Sequence, residues 1–204
     1  MKYKHLFKDE LFDEIYNEEI TPHKIAAFHM SLIDQSIGDE LLKMADPDVV
    51  IKAKEDKQNI ADIKTVGDSV QIMRKHIHIS SIPEFLNKVS EFEDEIITEV
   101  LQRIKTSGNE YFIENTITLL IKCKRNTSAE LMEMFHEIRN TYAQSMILVV
   151  IGFRGDEEAI PWVYDRYFEF KNSRFDEGDR AEGALAALHE MFNRFYAEED
   201  DEYS

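Results

Sequence analysis

A chain of 204 residues and 23.9 kDa is long enough to bury a full core without disulfide or metal staples, and 43% hydrophobic residues with 11% aromatics exclude a disordered polyelectrolyte. Lys plus Arg number 24 against 41 Asp plus Glu, giving 24 − 41 = −17; residues 1–100 carry 12 basic and 21 acidic, the remainder 12 and 20. With no basic half, this charge argues against nucleic acid and anionic membrane as partners, and seven Gly with four Pro are too few for the turns of a β-sandwich, so an all-α fold is expected.

In chain order, the opening Met1-Lys-Tyr-Lys-His-Leu-Phe-Lys-Asp-Glu has no apolar run of signal-peptide length. Thr21-Pro22 reads as a helix cap followed by a first-turn proline, leading Ile25, Phe28, His29, Leu32 and Ile33 on to Leu41 and Leu42. Asp46-Pro47 is a second start, with Val49, Val50, Ala53, Ile60 and Ile63 ending near Gly67. The stretch Val70–Ile79 fits helix or strand equally. Residues 1–80 are thus a helical N-terminal region or a set of irregular repeats.

From about residue 91 apolar positions recur every three or four residues, placing them on one stripe of each helix. Ile96, Ile97, Val100, Leu101 and Ile104 precede Ser107-Gly108-Asn109, and Ile113, Ile117, Leu120 and Ile121 follow. Leu131, Met134, Phe135 and Ile138 form the next stripe. Ala143, Met146, Ile147 and Val150 then end at Gly152 and Gly155. After Asp156-Glu157-Glu158, which supplies acceptors and negative charge to a helix start, come Ile160, Val163, Tyr164 and Tyr167. The loop Lys171–Gly178 leads to Ala184, Ala187, Leu188, Met191 and Phe195, and residues 197–204 are an acidic tail.

These are three successive helical hairpins. Their second helices superimpose without gaps: Ile113, Ala143 and Ala184 are equivalent, then Ile117, Ile147 and Leu188, then Leu120, Val150 and Met191, with offsets 143 − 113 = 30 and 184 − 143 = 41. Ser81-Ile82-Pro83 echoes Ala159-Ile160-Pro161 at the start of first helices. The run Ile151-Gly-Phe-Arg-Gly-Asp-Glu-Glu-Ala-Ile-Pro-Trp-Val163, with Arg180-Ala-Glu-Gly-Ala-Leu-Ala-Ala-Leu188, resembles the HEAT-like α-solenoid repeat of the phycobilisome-lyase type. Arg139 with Ala143 and Arg180 with Ala184 match that family's Arg-x-x-x-Ala, whereas Asn109 and Ile113 depart from it. The resemblance implies an α-solenoid of stacked antiparallel hairpins over residues 81–196, clearest over 91–196.

Chemical motifs fail on counting. His136-Glu137 and His189-Glu190 lack a second histidine four residues on, and His76 and His78 share a face only on a strand, so no metal site is expected. With Gly178 as the sixth residue of a calcium loop, Ser173, Phe175, Glu177 and Ala184 stand at its other ligand positions, a set without the required carboxylates. Phosphate-cradling glycine motifs are missing, and no cofactor is expected. Lys122-Cys123-Lys124-Arg125 reads as a helix C-terminus rather than a polyanion patch. Cys123, the single cysteine, reads as a structural thiol in a reducing, cytoplasmic setting, and the longest uncharged run, Asn140–Phe153, is too short to span a bilayer.

No catalytic set emerges, so the expectation is a non-enzymatic protein-binding or scaffold module. The resemblance implies that second helices line the concave face, which nominates Arg139, Asn140, Tyr142, Gln144, Arg180 and Glu182 as contacts for a protein partner. The dense aromatics Trp162, Tyr164, Tyr167 and Phe168, with Phe170, nominate an interface or self-association surface. The alternative is an enzyme or enzyme accessory on the same scaffold. One form is lyase-like, using Glu114 and His189; the other excises nucleic-acid bases, which the net charge opposes.

Overall fold

The computed structural model describes residues 2–8, 11, 55, 58–172 and 178–196, with the side chains of 178–180 outside that description. The starts at Thr21-Pro22 and Asp46-Pro47, the calcium-loop positions 173–177 and the tail 197–204 lie outside the described residues. Eight α-helices are bounded: α1 Val66–Met73, α2 Pro83–Val89, α3 Glu93–Ile104, α4 Glu110–Lys122, α5 Ser128–Met134, α6 Thr141–Arg154, α7 Ile160–Lys171 and α8 Gly178–Tyr196. The described residues contain no strand, and none of their helices is long and apolar enough to cross a membrane. The chain divides into two compact units, Ala26–Arg125, and Met1–Ile25 together with Asn126–Ser204. The division falls inside the segment that periodicity groups as repeats.

In the Ala26–Arg125 unit, Thr65 caps α1 with a capping box: its hydroxyl accepts from Asp68 N–H at 3.2 Å while the Asp68 carboxylate accepts from Thr65 N–H at 2.9 Å. Gly67 therefore sits in the first turn of a helix, not at the end of one as its sequence context suggested. The Val70–Ile79 ambiguity also resolves: helix runs to Met73, and His78 adopts left-handed backbone (φ 58°) before a 3-10 turn at Ile79–Ser81. That reversal denies His76 and His78 the shared strand face. Asn115, fully buried on α4, holds the turn by donating to the carbonyls of Met73 (2.9 Å) and His76 (2.7 Å) and accepting from Ser80 N–H (3.0 Å). Each of these buried groups is then satisfied.

The α3/α4 hairpin follows the predicted stripes, with Ile96, Ile97, Val100, Leu101 and Ile104 buried on α3. Asn109 caps α4, its side-chain oxygen accepting from Phe112 N–H at 2.7 Å. Lys122 lies in the last turn, where a cation complements the helix dipole, and Glu93 accepts from Lys124 and Arg125 N–H at 3.0 and 3.1 Å. The basic run is therefore a helix terminus. Cys123 is buried, its thiol within 3.2 Å of the Leu120 carbonyl and 3.1 Å of the Arg125 carbonyl.

In the other unit, α5 is shorter than its stripe suggests. It gives way to a 3-10 turn at Phe135–Glu137 and extended backbone at Ile138, although Leu131, Met134, Phe135 and Ile138 are all buried. The chain must straighten there because Asn140 stands extended to cap α6, accepting from Ala143 N–H at 3.0 Å. Asn126 ties the hairpin shut from the other end, donating to the Arg154 carbonyl at 2.8 Å.

Gly152 does not end a helix. It lies inside α6, which runs on to Arg154 with Gly155 as C-cap. Its missing side chain makes room for α8: a Cβ there would stand 2.6 Å from Ala187 Cα, and a Cβ on Gly183 would overlap the Ser145 carbonyl. Gly183 N–H donates to the Ser145 hydroxyl at 3.1 Å, and further along both helices Arg194 donates to the carbonyls of Gly152 (2.5 Å) and Gly155 (2.9 Å). Contacts that advance together along both helices mean that α6 and α8 run parallel. Arg194 thereby caps a neighbour's C-terminus, satisfying carbonyls that the helix itself leaves orphaned.

Gly152→Ala should therefore destabilise the chain by about 1–3 kcal/mol, because the overlap falls on backbone and outweighs alanine's helix propensity of about 1 kcal/mol. Gly108→Ala, where a Cβ meets nothing within 4 Å and φ is not positive, should be neutral or mildly stabilising. Urea midpoints of the two variants check this; equal midpoints would remove the close crossing as a constraint.

Candidate functional site

Four of the nominated residues, Arg139, Asn140, Tyr142 and Gln144, lie at the start of α6, and they divide by what they already do. Asn140 is occupied as the N-cap, and Gln144 donates through Nε2 to the Ile138 carbonyl at 2.8 Å, so both shape the corner rather than stand open to a partner. Arg139 and Tyr142 are exposed there, Tyr142 at 36%. Glu182 is half-buried one residue before Gly183, whose backbone meets Ser145, which brings α8 to the same turn. Arg180 lies on α8, its side chain outside the described residues.

Sequence reasoning missed the counterpart of Tyr142. In both capped second helices the N-cap asparagine is followed two residues later by an exposed tyrosine, Asn109 with Tyr111 (43% exposed) and Asn140 with Tyr142. The spacing is 142 − 111 = 31, one more than the offset that aligns the apolar positions. The nine apolar positions taken as equivalent are all fully buried. The Asn-x-Tyr pairs were legible, but the apolar register drew the alignment one residue away from them.

The aromatic helix α7 splits into core and edge. Tyr167, nominated as an interface residue, is 2% exposed and belongs to the core, because it falls on the stripe with Ile160, Val163 and Phe170. Trp162, Tyr164 and Phe168 are half-buried. Trp162 meets Phe135 edge-on at 5.1 Å, and the Arg166 guanidinium lies 5.4 Å from the indole while contacting Glu169 (2.9 Å) and His136 Nε2 (3.0 Å). Tyr164 and Phe168 pair at 4.7 Å.

Candidates for chemistry are dispersed. His136 faces Arg166, His189 lies 3.3 Å from Asn193, and Glu114 and His189, the pair nominated for a lyase-like role, belong to different units. Among the described residues no group of three or more His, Cys, Asp and Glu could hold a metal ion. A cleft of about 270 Å³ in the Ala26–Arg125 unit is lined by Arg74, Arg103, Thr106, Ser107, Gly108, Asn109 and Phe112. Its two arginines and its Thr, Ser and Asn side chains offer positive charge and hydrogen bonds.

A polar cluster that sequence reading did not anticipate forms where Lys2–Phe7 lies on the second unit. Glu157 and Glu158 do place negative charge in the first turn of the 3-10 segment that leads into α7, but no side chain caps it; their carboxylates hold the Lys2–Phe7 segment. Glu158 accepts from Lys2 Nζ at 2.8 Å and Tyr3 hydroxyl at 2.6 Å, and Glu157 accepts from Lys2 N–H at 3.0 Å and Tyr196 hydroxyl at 2.6 Å. Tyr3 N–H donates in turn to the Tyr196 oxygen at 3.2 Å, and Phe7 packs on Phe192 and Tyr196. The Lys2–Glu158 pair is exposed on both sides, the setting in which solvent screening leaves an ion pair little net stabilisation. No sequence pattern signalled a contact spanning some 155 positions.

The Tyr196 hydroxyl holds the Glu157 carboxyl below its ordinary 4.5, and Lys2 does the same to Glu158. Burial beside Glu157 pushes Tyr196 from 10.0 up to about 12, and the Glu158 hydrogen bond raises Lys2 above 10.5. The shifts that Lys2 and Glu158 give each other exist only while the segment is seated: the lowered Glu158 stabilises docking above 4.5 and loses that contribution as pH falls through its folded value, and the raised Lys2 contributes below 10.5 and loses it as pH rises. Docking of Lys2–Phe7 should thus be constant across neutral pH and weaken below 4.5 and above 10.5. NMR shifts of the Phe7 and Tyr3 rings follow it; a transition near pH 6.5 would contradict the carboxylate account.

No family model matches the chain, and neither a curated protein nor a solved structure matches it.

Proposed function

We propose that this chain is a non-enzymatic protein-binding or scaffold module of HEAT-like build, working in the reducing cytoplasm on a protein partner rather than a nucleic acid. Tyr142 carries this reading: a large amphipathic ring left exposed, beside exposed Arg139, on the first turn of a helix whose body is locked against its neighbour. Tyrosine and arginine are the side chains that anchor protein interfaces, since they supply contact area and hydrogen bonds at modest entropic cost. The parallel packing of α6 and α8, second helices of consecutive hairpins, supports a solenoid, because that fold sets its second helices side by side in one layer. Net charge of −17 favours a partner with a basic contact surface.

Affinity capture on the immobilised chain, followed by quantitation of one stoichiometric partner, tests the proposal. Arg139→Ala with Tyr142→Ala should weaken retention at least about tenfold, the loss expected when interface anchors are truncated, with helical circular dichroism unchanged. Equal retention by the double variant, or recovery of nucleic acid alone, would sink it.

A further inference from the structure

Lys2–Phe7 lies on its unit the way a short peptide lies in a receptor. Two of its backbone N–H groups and three of its side chains are held, and a 3-10 turn at Lys4–Leu6 sets the distance from Tyr3 to Phe7. We infer that the trough formed by Glu157, Glu158, Phe192 and Tyr196 is a peptide-recognition site for a partner segment carrying lysine, then tyrosine, then a large ring four residues on. Lys2–Phe7 is the chain's own competitor for that site.

The seated segment shows what chemistry fits. Glu158 reads lysine and tyrosine together through one carboxylate, and the Phe192 and Tyr196 rings, 5.3 and 5.7 Å from Phe7, take the aromatic residue. Glu157 and Tyr196 take the backbone N–H groups, which adds affinity without demanding a particular side chain. The trough is built in part without the segment, because the Tyr196-to-Glu157 hydrogen bond and the Phe192–Tyr196 ring pair at 5.9 Å involve none of its residues. The polar end of the segment is open to solvent, the side chains of the Lys2–Glu158 pair being 60% and 61% exposed, while Phe7 is buried at 8%. A tethered competitor acts at an effective concentration on the order of mM, so it raises the threshold for a partner without closing the site.

This site goes beyond the Tyr142 surface and is separate from it. Glu157 follows the C-terminal end of α6 and Tyr142 sits in its first turn, about 20 Å away along a helix rising 1.5 Å per residue. Failure at one site leaves the other untouched.

The test uses the full chain with Lys2→Glu and Phe7→Ala, which undock the segment, and an acetylated fluorescent peptide of residues 2–8, Lys-Tyr-Lys-His-Leu-Phe-Lys. By fluorescence anisotropy the undocked chain should bind the peptide at least tenfold more tightly than the parent, and 300 mM salt should weaken that binding. Adding Glu157→Lys and Glu158→Lys should abolish it. Equal affinity for parent and undocked chains, or binding that survives the double charge reversal, would overturn the proposal. Lys2→Glu alone, at an exposed side chain, repeats the comparison if Phe7→Ala impairs folding. Sedimentation of the parent chain closes the remaining route: a concentration-dependent dimer abolished by undocking would assign the trough to a second copy and overturn the partner assignment.

Discussion

The unit holding α5–α8 depends on two glycines that let one helix backbone lie directly against another. Ordinary side chains keep packed helices about 8–10 Å apart; at Gly152 and Gly183 that spacer is absent, and the opposing surfaces are Ala187 and the Ser145 backbone. Close approach fixes both the direction and the register of α8 along α6, because sliding by one residue would drive a Cβ into a peptide group. Arg194 then reaches the carbonyl end of α6, and Tyr196, one turn of ring packing beyond Phe192, reaches Glu157. The polar cluster around Lys2 is thus positioned by a steric contact at the far side of the same helix.

Polar side chains that cross between elements do the rest of the positioning in each unit. Asn115, Asn126 and Arg194 each satisfy backbone groups belonging to a different element, and Glu93 does so for the chain leaving α4. A helix end that packs against another element leaves its orphaned carbonyls and N–H groups within reach of that neighbour's side chains, which satisfy them. These residues are ordinary in the sequence, and their role exists only once the partner element is in place.

Much of the helical layout was legible because amphipathic periodicity is a local signal. The stripe on α3 predicts its buried face, and those on α4, α6 and α8 do so except at Ile121, Met146 and Phe195, which are half-buried, while α6 buries Leu148, Val149 and Ile151 as well. The asparagine caps at Asn109 and Asn140 are local signals that the apolar register passed over. Gly152 misled for a physical reason: a glycine near a helix end looks like a stop, and only the close passage of α8 shows that its purpose is interhelical. Gly67 misled in the same way, since the Thr65–Asp68 capping box starts a helix around it. Tyr167 and Tyr164 differ by three positions, about a sixth of a turn short of a full period, and that phase difference buries one and leaves the other at the edge. The Lys2 cluster was invisible because its members are separated by most of the chain, and Glu157 and Glu158 read locally as the start of a helix.

Cys123 closes α4 with its thiol against two backbone carbonyls, at the last residues before the boundary between the two units. A bulky reagent reaches this sulfur only when the turn that buries it opens. The single thiol is therefore a clock attached by nature to the α4 terminus: the rate at which a bulky disulfide reagent reaches it counts openings of that one turn, against a background with no other cysteine to react.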